Sequence, residues 1–224
     1  MHLTRFSIDL RRRASQRYLT SPQRMHAAIA TATTSAPASG NGRVLWRLDG
    51  VASASTERPP LLWVVSPAPP ALDELAAEIG LAVGGVIYRT KPYGPFLDRL
   101  SAGQRYAFRL GANAVRSGKK QAGEQRSQRF GHVTAAQQLN WLLERAPRHG
   151  FELTHVASGE PDAAVVGRRV EHFVRDQKRV TIAIAEYEGI LTVTEPDVLR
   201  ATLISGIGHA RAYGCGLLTI ARAP

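Results

Sequence analysis

Phe6, Ile8 and Leu10 alternate with more polar neighbours, the two-residue period of a strand with one buried face. A basic connector follows, and then a helix start. Ser21 can accept from first-turn backbone N–H groups, and Pro22 suits the first helical position, where a missing N–H costs nothing. Met25 and Ile29, one turn apart, give this Ala-rich helix its core-facing stripe. Residues 35–42 form a small-residue loop, and 44–48 and 61–65 read as short strands joined by a polar, proline-ended loop. A turn at 67–70 leads into a helix through 71–75, and a strand over 83–88 completes the half. The order is β-α-β-β-α-β, the ferredoxin-like pattern.

The second half repeats it. Residues 106–110 read as a strand, and 134–145 as a helix with Leu139, Leu142 and Leu143 on its apolar side. A short strand is expected over 151–156, then two longer ones over 165–174 and 180–193, with Asp176, Gln177 and Lys178 as the hairpin turn. A helix over 196–204 and a strand over 217–221 close the chain. The fold class is therefore α+β, with tandem ferredoxin-like (RRM-like) βαββαβ domains. The first spans residues 1–102 and carries the helix of His26; the second spans 103–224 and carries a basic hairpin and a glycine-rich loop.

Charge sharpens this picture. Among 224 residues, 29 Lys+Arg face 18 Asp+Glu, a formal net charge of +11 that favours a polyanionic partner. Cys215 is the only cysteine, so neither a disulfide framework nor a Cys-based zinc site is expected. There is no H-E-x-x-H motif and no close acidic cluster, so the expectation is no metal and no cofactor. Without a long apolar run or signal-like leader, no membrane association is expected and the protein is placed in the cytoplasm.

The densest signal lies near the end of the chain, where Gly206, Gly208, Gly214 and Gly216 surround Arg211. Glycines this crowded ahead of a strand imply positive-φ turns or close backbone approach, and loop N–H groups with a guanidinium favour an anion. A dinucleotide loop follows a strand and opens a helix; this one follows a helix and opens a strand, which argues against a nucleotide-binding enzyme. His26 falls on the second turn of its helix, about 100° round from Met25, where an imidazole can exchange protons near neutral pH.

Five stretches together resemble the Cas6e (CasE/Cse3) family of CRISPR RNA endonucleases. They are Ser21-Pro22-Gln23-Arg24-Met25-His26, Arg43 to Leu48, Phe108 to Asn113, Glu188 to Val193, and the glycine-rich loop, in the family's order. The resemblance implies a metal-independent endoribonuclease with His26 as its catalytic residue. Such an enzyme cleaves the repeat stem-loop of a CRISPR precursor transcript by attack of the RNA's own 2′-hydroxyl, leaving a 2′,3′-cyclic phosphate and a 5′-hydroxyl. It also implies retention of the 3′ hairpin of the crRNA and assembly with type I-E Cascade subunits.

Two departures matter. Some family members carry a tyrosine three residues before the histidine, where this chain has Gln23. Tyr18 and His209 are the alternative catalytic partners offered by the sequence. Gly111 replaces an arginine usual in the family. A tandem RRM-like module that holds crRNA without cutting it is the competing reading, and Gln23 is what favours it. RNA contacts are expected from Arg116, Lys119, Lys120, Arg126 and Arg129 in a turn-rich stretch, and from Arg168, Arg169, Arg175, Lys178 and Arg179 of the second hairpin. Alternation would set Arg169 and Arg175 on one face. Gly206, Gly208, Arg211, Gly214 and Gly216 complete the expected RNA surface, which suits recognition of an A-form stem by shape and phosphates.

Overall fold

Alternation near the start of the chain becomes β1 (His2–Ser7), whose Phe6 is fully buried. The computed structural model describes residues 1–34, 43–51, 58–118, 128–175 and 177–223. The expected basic connector is in part a helix, α1 (Arg13–Leu19). The Asp9 carboxylate there accepts from the Arg11 backbone N–H and guanidinium, and the Ser15 hydroxyl donates to the Asp9 carbonyl. With only Ser15 and Tyr18 buried, α1 has no apolar stripe long enough to read from the sequence. It is followed by α2 (Pro22–Thr33), β2 (Leu45–Asp49), β3 (Leu61–Ser66), α3 (Asp73–Ile79), β4 (Tyr88–Pro92) and the single turn α4 (Gly94–Leu97).

The strand expected over 83–88 is displaced. Val83 and Val86 bridge across Gly84 and Gly85, both at positive φ, so the apolar run makes a tight turn. The true strand, β4, is a polar edge whose Arg89, Lys91 and Pro92 are exposed. Charged residues and proline at an edge discourage further pairing, and they also hide the strand from a hydrophobic reading. The first sheet runs β2-β3-β1-β4, antiparallel throughout, the strand order of a ferredoxin-like domain. Met25, Ile29, Trp46, Leu62 and Ile79 are among the core residues on its helix side.

The second sheet has the same plan. Its strands are β5 (Arg105–Ala112), β8 (Phe151–Leu153), β9 (Ala163–Arg175), β10 (Lys178–Val193) and β11 (Leu218–Arg222), ordered β11-β5-β10-β8 with β9 also paired to β10. Its helices are α5 (Ala135–Leu143) and α6 (Pro196–Ser205). A hairpin of β6 (Val115–Gly118) and β7 (Gln128–Gly131) is added where the sequence suggests only turns. The long β10 serves three partners, with Ala185 to Thr192 pairing β5, Leu191 to Val193 pairing β8 and Lys178 to Gly189 pairing β9. Helix α5 begins at a capping box built by Thr134 and Gln137. Its buried face is Gln138, Trp141 and Leu142, rotated from the expected leucine stripe. A polar side chain displaces that stripe: Gln138 donates through Nε2 to the His132 carbonyl, and the buried Tyr187 hydroxyl donates to the Gln138 carbonyl.

The chain forms two compact units. The first is Met1–Arg99 with Ile204–Gly206 and Arg211–Leu217; the second is Leu100–Leu203 with Ile207–Ala210 and the residues from Leu218 on. The glycine-rich loop, expected wholly in the second domain, thus gives Gly206 and its Arg211–Leu217 segment to the first, for reasons that lie in β2.

Candidate active site

His26 owes its position to a well-defined helix start. The Ser21 hydroxyl accepts from the Arg24 N–H at 3.3 Å, Pro22 occupies the first turn, and Met25 and Ile29 anchor one face in the core. His26 stands beside that face and is half-buried. Across from it lies Tyr213, the last residue of a 3-10 turn over Arg211–Tyr213. The two rings meet edge to face, with centroids 6.0 Å apart and planes at 63°.

Strand β2 holds this turn in place. Trp46 donates from its indole N–H to the Ala212 carbonyl at 3.0 Å. Gly214, at φ 79°, packs so tightly on Trp46 that a Cβ there would lie 2.7 Å from the ring. Arg47, 2% exposed, donates to the Leu217 carbonyl at 2.6 Å and grips Asp49 through both carboxylate oxygens at 2.6 and 2.9 Å. Successive side chains of a strand point to opposite faces, so the segment 212–217 wraps the edge strand of the sheet. That wrap also covers backbone groups an edge would otherwise expose.

All four glycines of the loop have positive φ, as their crowding implies. Gly206, Gly214 and Gly216 are buried; a Cβ on Gly206 would meet the Gly216 carbonyl at 2.9 Å and Leu45 at 3.0 Å. The close approaches of Gly206 and Gly214 are therefore to this protein's own side chains and backbone. Gly208 packs on Trp141 in the second unit. Arg211 is half-buried. Burial, and then the nearby Arg43 guanidinium, hold its pKa below the usual arginine value, yet an arginine so placed remains a cation at neutral pH. Two guanidinium groups that repel one another form a place where an anion relieves both.

The other catalytic candidates have surroundings of their own. Tyr18 is 9% exposed and its hydroxyl donates to Glu78 at 2.9 Å; burial first, then that carboxylate, push its pKa up. His209 belongs to the second unit, where it is exposed and its backbone bridges Asn113. Among the hairpin cations, Lys178 and Arg179 are exposed at the start of β10, Asp176 of the expected turn lies outside the described residues, and Arg168 is exposed with a bond to the Val133 carbonyl. Arg169 is on the half-buried face and is paired with Glu171 and Glu186, so its charge is met within the sheet. The backbones of Arg116, Arg129 and Arg175 lie in β6, β7 and β9, whereas Lys119, Lys120 and Arg126 fall outside the described residues. Among the described residues, no group of three or more His, Cys, Asp or Glu side chains is placed to hold a metal ion, and no helix is long and apolar enough to cross a membrane.

Sequence reasoning missed Tyr213, Trp46 and Arg47 as parts of this site. Tyr213 carried one legible signal, an aromatic hydroxyl two residues from the loop's arginine.

Comparison with known proteins bears on what this arrangement does. A family model described as CRISPR associated protein matches residues 1–222. The CRISPR-associated endoribonuclease Cse3 of Thermus thermophilus is 31% identical over 99% of this chain and 100% of its own length. The CRISPR system Cascade subunit CasE of Escherichia coli is 30% identical over 55% of this chain and 61% of its own. Among solved structures, Thermus thermophilus Cse3 bound to an RNA representing a pre-cleavage complex superposes with a TM-score of 0.79 at 30% identity, covering 98% of both chains.

Proposed function

The chain belongs to the CRISPR-associated Cse3/CasE (Cas6e) family, and from that premise we propose that it is the endoribonuclease that cuts CRISPR repeat RNA into crRNA and stays with it as a Cascade subunit. The observation that carries the reading is His26 on a fixed helix, facing a turn that presents Arg211. The substrate is a repeat stem-loop, cut by its own 2′-hydroxyl. That oxygen attacks phosphorus as its proton leaves to a base, the P–O5′ bond breaks, and the 5′-oxygen takes up a proton. The products are a 2′,3′-cyclic phosphate and a 5′-hydroxyl.

His26 supplies the imidazole for proton transfer, and its half-burial leaves an edge open to RNA. Arg211, with Arg43 near it, meets the charge that grows on the non-bridging oxygens. Holding the nucleotide in line for attack does much of the remaining work. Arg168, Lys178 and Arg179 of the β9–β10 hairpin grip phosphates of the stem, with Arg116, Lys119, Lys120, Arg126, Arg129 and Arg175 as further contacts and Arg169 secondary to them. Binding through these residues is sequence-independent and salt-sensitive. Division of labour follows the expected halves except at the loop: residues 1–102 together with the Arg211–Leu217 segment cut, and the rest of 103–224 holds the stem. The work is cytoplasmic, where the precursor transcript is made.

Incubating the protein with a repeat hairpin RNA in EDTA tests the reading. Cleavage that persists in EDTA and is lost in His26→Ala, with binding retained, supports it. Tight binding of RNA that stays intact with the unaltered protein overturns it in favour of a holding module.

A further inference from the structure

We infer that Tyr213 is the positioning residue for His26, its ring setting the orientation in which the imidazole exchanges protons with RNA. The inference rests on the proposed role of His26. Rotation of an imidazole about its last side-chain bond is soft, so a neighbour must select one orientation. The helix provides none. The positions three and four away from His26 are Pro22, Gln23, Ile29 and Ala30; Ile29 is buried in the core, and Gln23 and Ala30 are exposed and not aromatic.

The aromatic contact comes from elsewhere in the fold. At 6.0 Å and 63°, Tyr213 and His26 have the geometry of an edge-to-face pair. Tyr213 is itself held, because the residue before it is bonded to Trp46 and the residue after it is packed against the same indole. A ring on so firm a support transfers its own position to whatever it touches. Tyr213 thus supplies from the glycine loop an aromatic ring that the helix, with Gln23 one turn before His26, does not. Arg211, two residues earlier in the same turn, ties the orientation of the imidazole to the place of the phosphate.

The test is single-turnover cleavage of a repeat hairpin RNA at saturating protein, with affinity measured in parallel, for the unaltered chain and for Tyr213→Leu, Tyr213→Phe and His26→Ala. Tyr213→Leu is expected to cut about 10- to 100-fold more slowly, the usual penalty of a small misplacement, with affinity changed by less than about twofold. Tyr213→Phe keeps the ring and is expected to restore most of the rate. The ring-proton resonances of His26 carry a ring-current shift that Leu removes and Phe keeps. Inactive His26→Ala beside Tyr213→Leu at full rate overturns the inference and leaves the function standing. Tyr213→Phe as slow as Tyr213→Leu also overturns it, by moving the role from the ring to the hydroxyl. Cleavage surviving in His26→Ala overturns the catalytic role of His26 on which the inference rests, whatever Tyr213 does.

Discussion

The turn that carries Arg211 and the β9–β10 hairpin both display cations, and they are built in opposite ways. In the turn, the Ala212 carbonyl, Gly214 and the Leu217 carbonyl are each held by a named side chain of β2. The hairpin is a long two-stranded ladder whose outer face exposes Val166, Val170 and Val174 at 53%, 55% and 62% alongside Arg168 and His172. Its tip cations, Lys178 and Arg179, stand in solvent. A cation that must meet one phosphate at one stage of a reaction needs rigid surroundings, because misplacement is costly. Cations that only hold a stem need reach and number, since each phosphate they neutralise adds to affinity without fixing geometry.

The contrast can be broken most severely at Arg47. Arg47→Ala leaves Asp49 buried without its bidentate partner and the Leu217 carbonyl without its donor; breaking a buried pair from one side costs about 3–5 kcal/mol, read as a large fall in Tm. Next is Arg211→Ala, expected to lower the single-turnover rate about 10²- to 10³-fold, the usual loss for one donor at a developing charge, with affinity much less affected. Gly214→Ala adds a methyl against Trp46 at a φ that alanine resists, so denaturant unfolding should show a loss of about 1–3 kcal/mol and cleavage should slow with it.

At the hairpin the same kind of change should read differently. Replacing Lys178 and Arg179 together with alanine should weaken RNA binding and flatten its salt dependence by about 0.9 for each duplex phosphate left without its cation, with the rate at saturation unchanged. A fall in that rate as large as for Arg211→Ala would erase the distinction between turn and hairpin. Smallest of all, Val170→Thr on the exposed face should change stability by no more than about 0.5 kcal/mol in a denaturant titration.

What the sequence revealed and what it hid follow from the range of the interactions concerned. Helix α2 was legible because Ser21, Pro22, Met25 and Ile29 state its start and its face within nine residues. The ferredoxin-like order emerged in both halves from local alternation and turns. Helix α1 and strand β4 stayed hidden because their burial is slight and their residues mostly polar. The Gln138 face of α5 was misread because a buried glutamine with a bonded side chain looks polar in any pattern. At the site, His26 was visible through its helix and its resemblance. Its supports were not, since Trp46 reaches a carbonyl 166 residues away and no periodicity reports such a contact. The crowding of the glycines points to the right conformation, but what Gly206, Gly208 and Gly214 approach closely is this protein's own side chains and backbone.

The wrap of the 212–217 segment around β2 has a consequence for synthesis. Residues 1–99 leave the ribosome more than a hundred residues before Arg211, so that much of the first unit can collapse while the helix of His26 still lacks the facing turn. Until Arg47 captures the Leu217 carbonyl and Trp46 captures that of Ala212, His26 has neither its aromatic neighbour nor its guanidinium. A nascent or truncated chain would then hold the histidine on a finished helix with no facing turn.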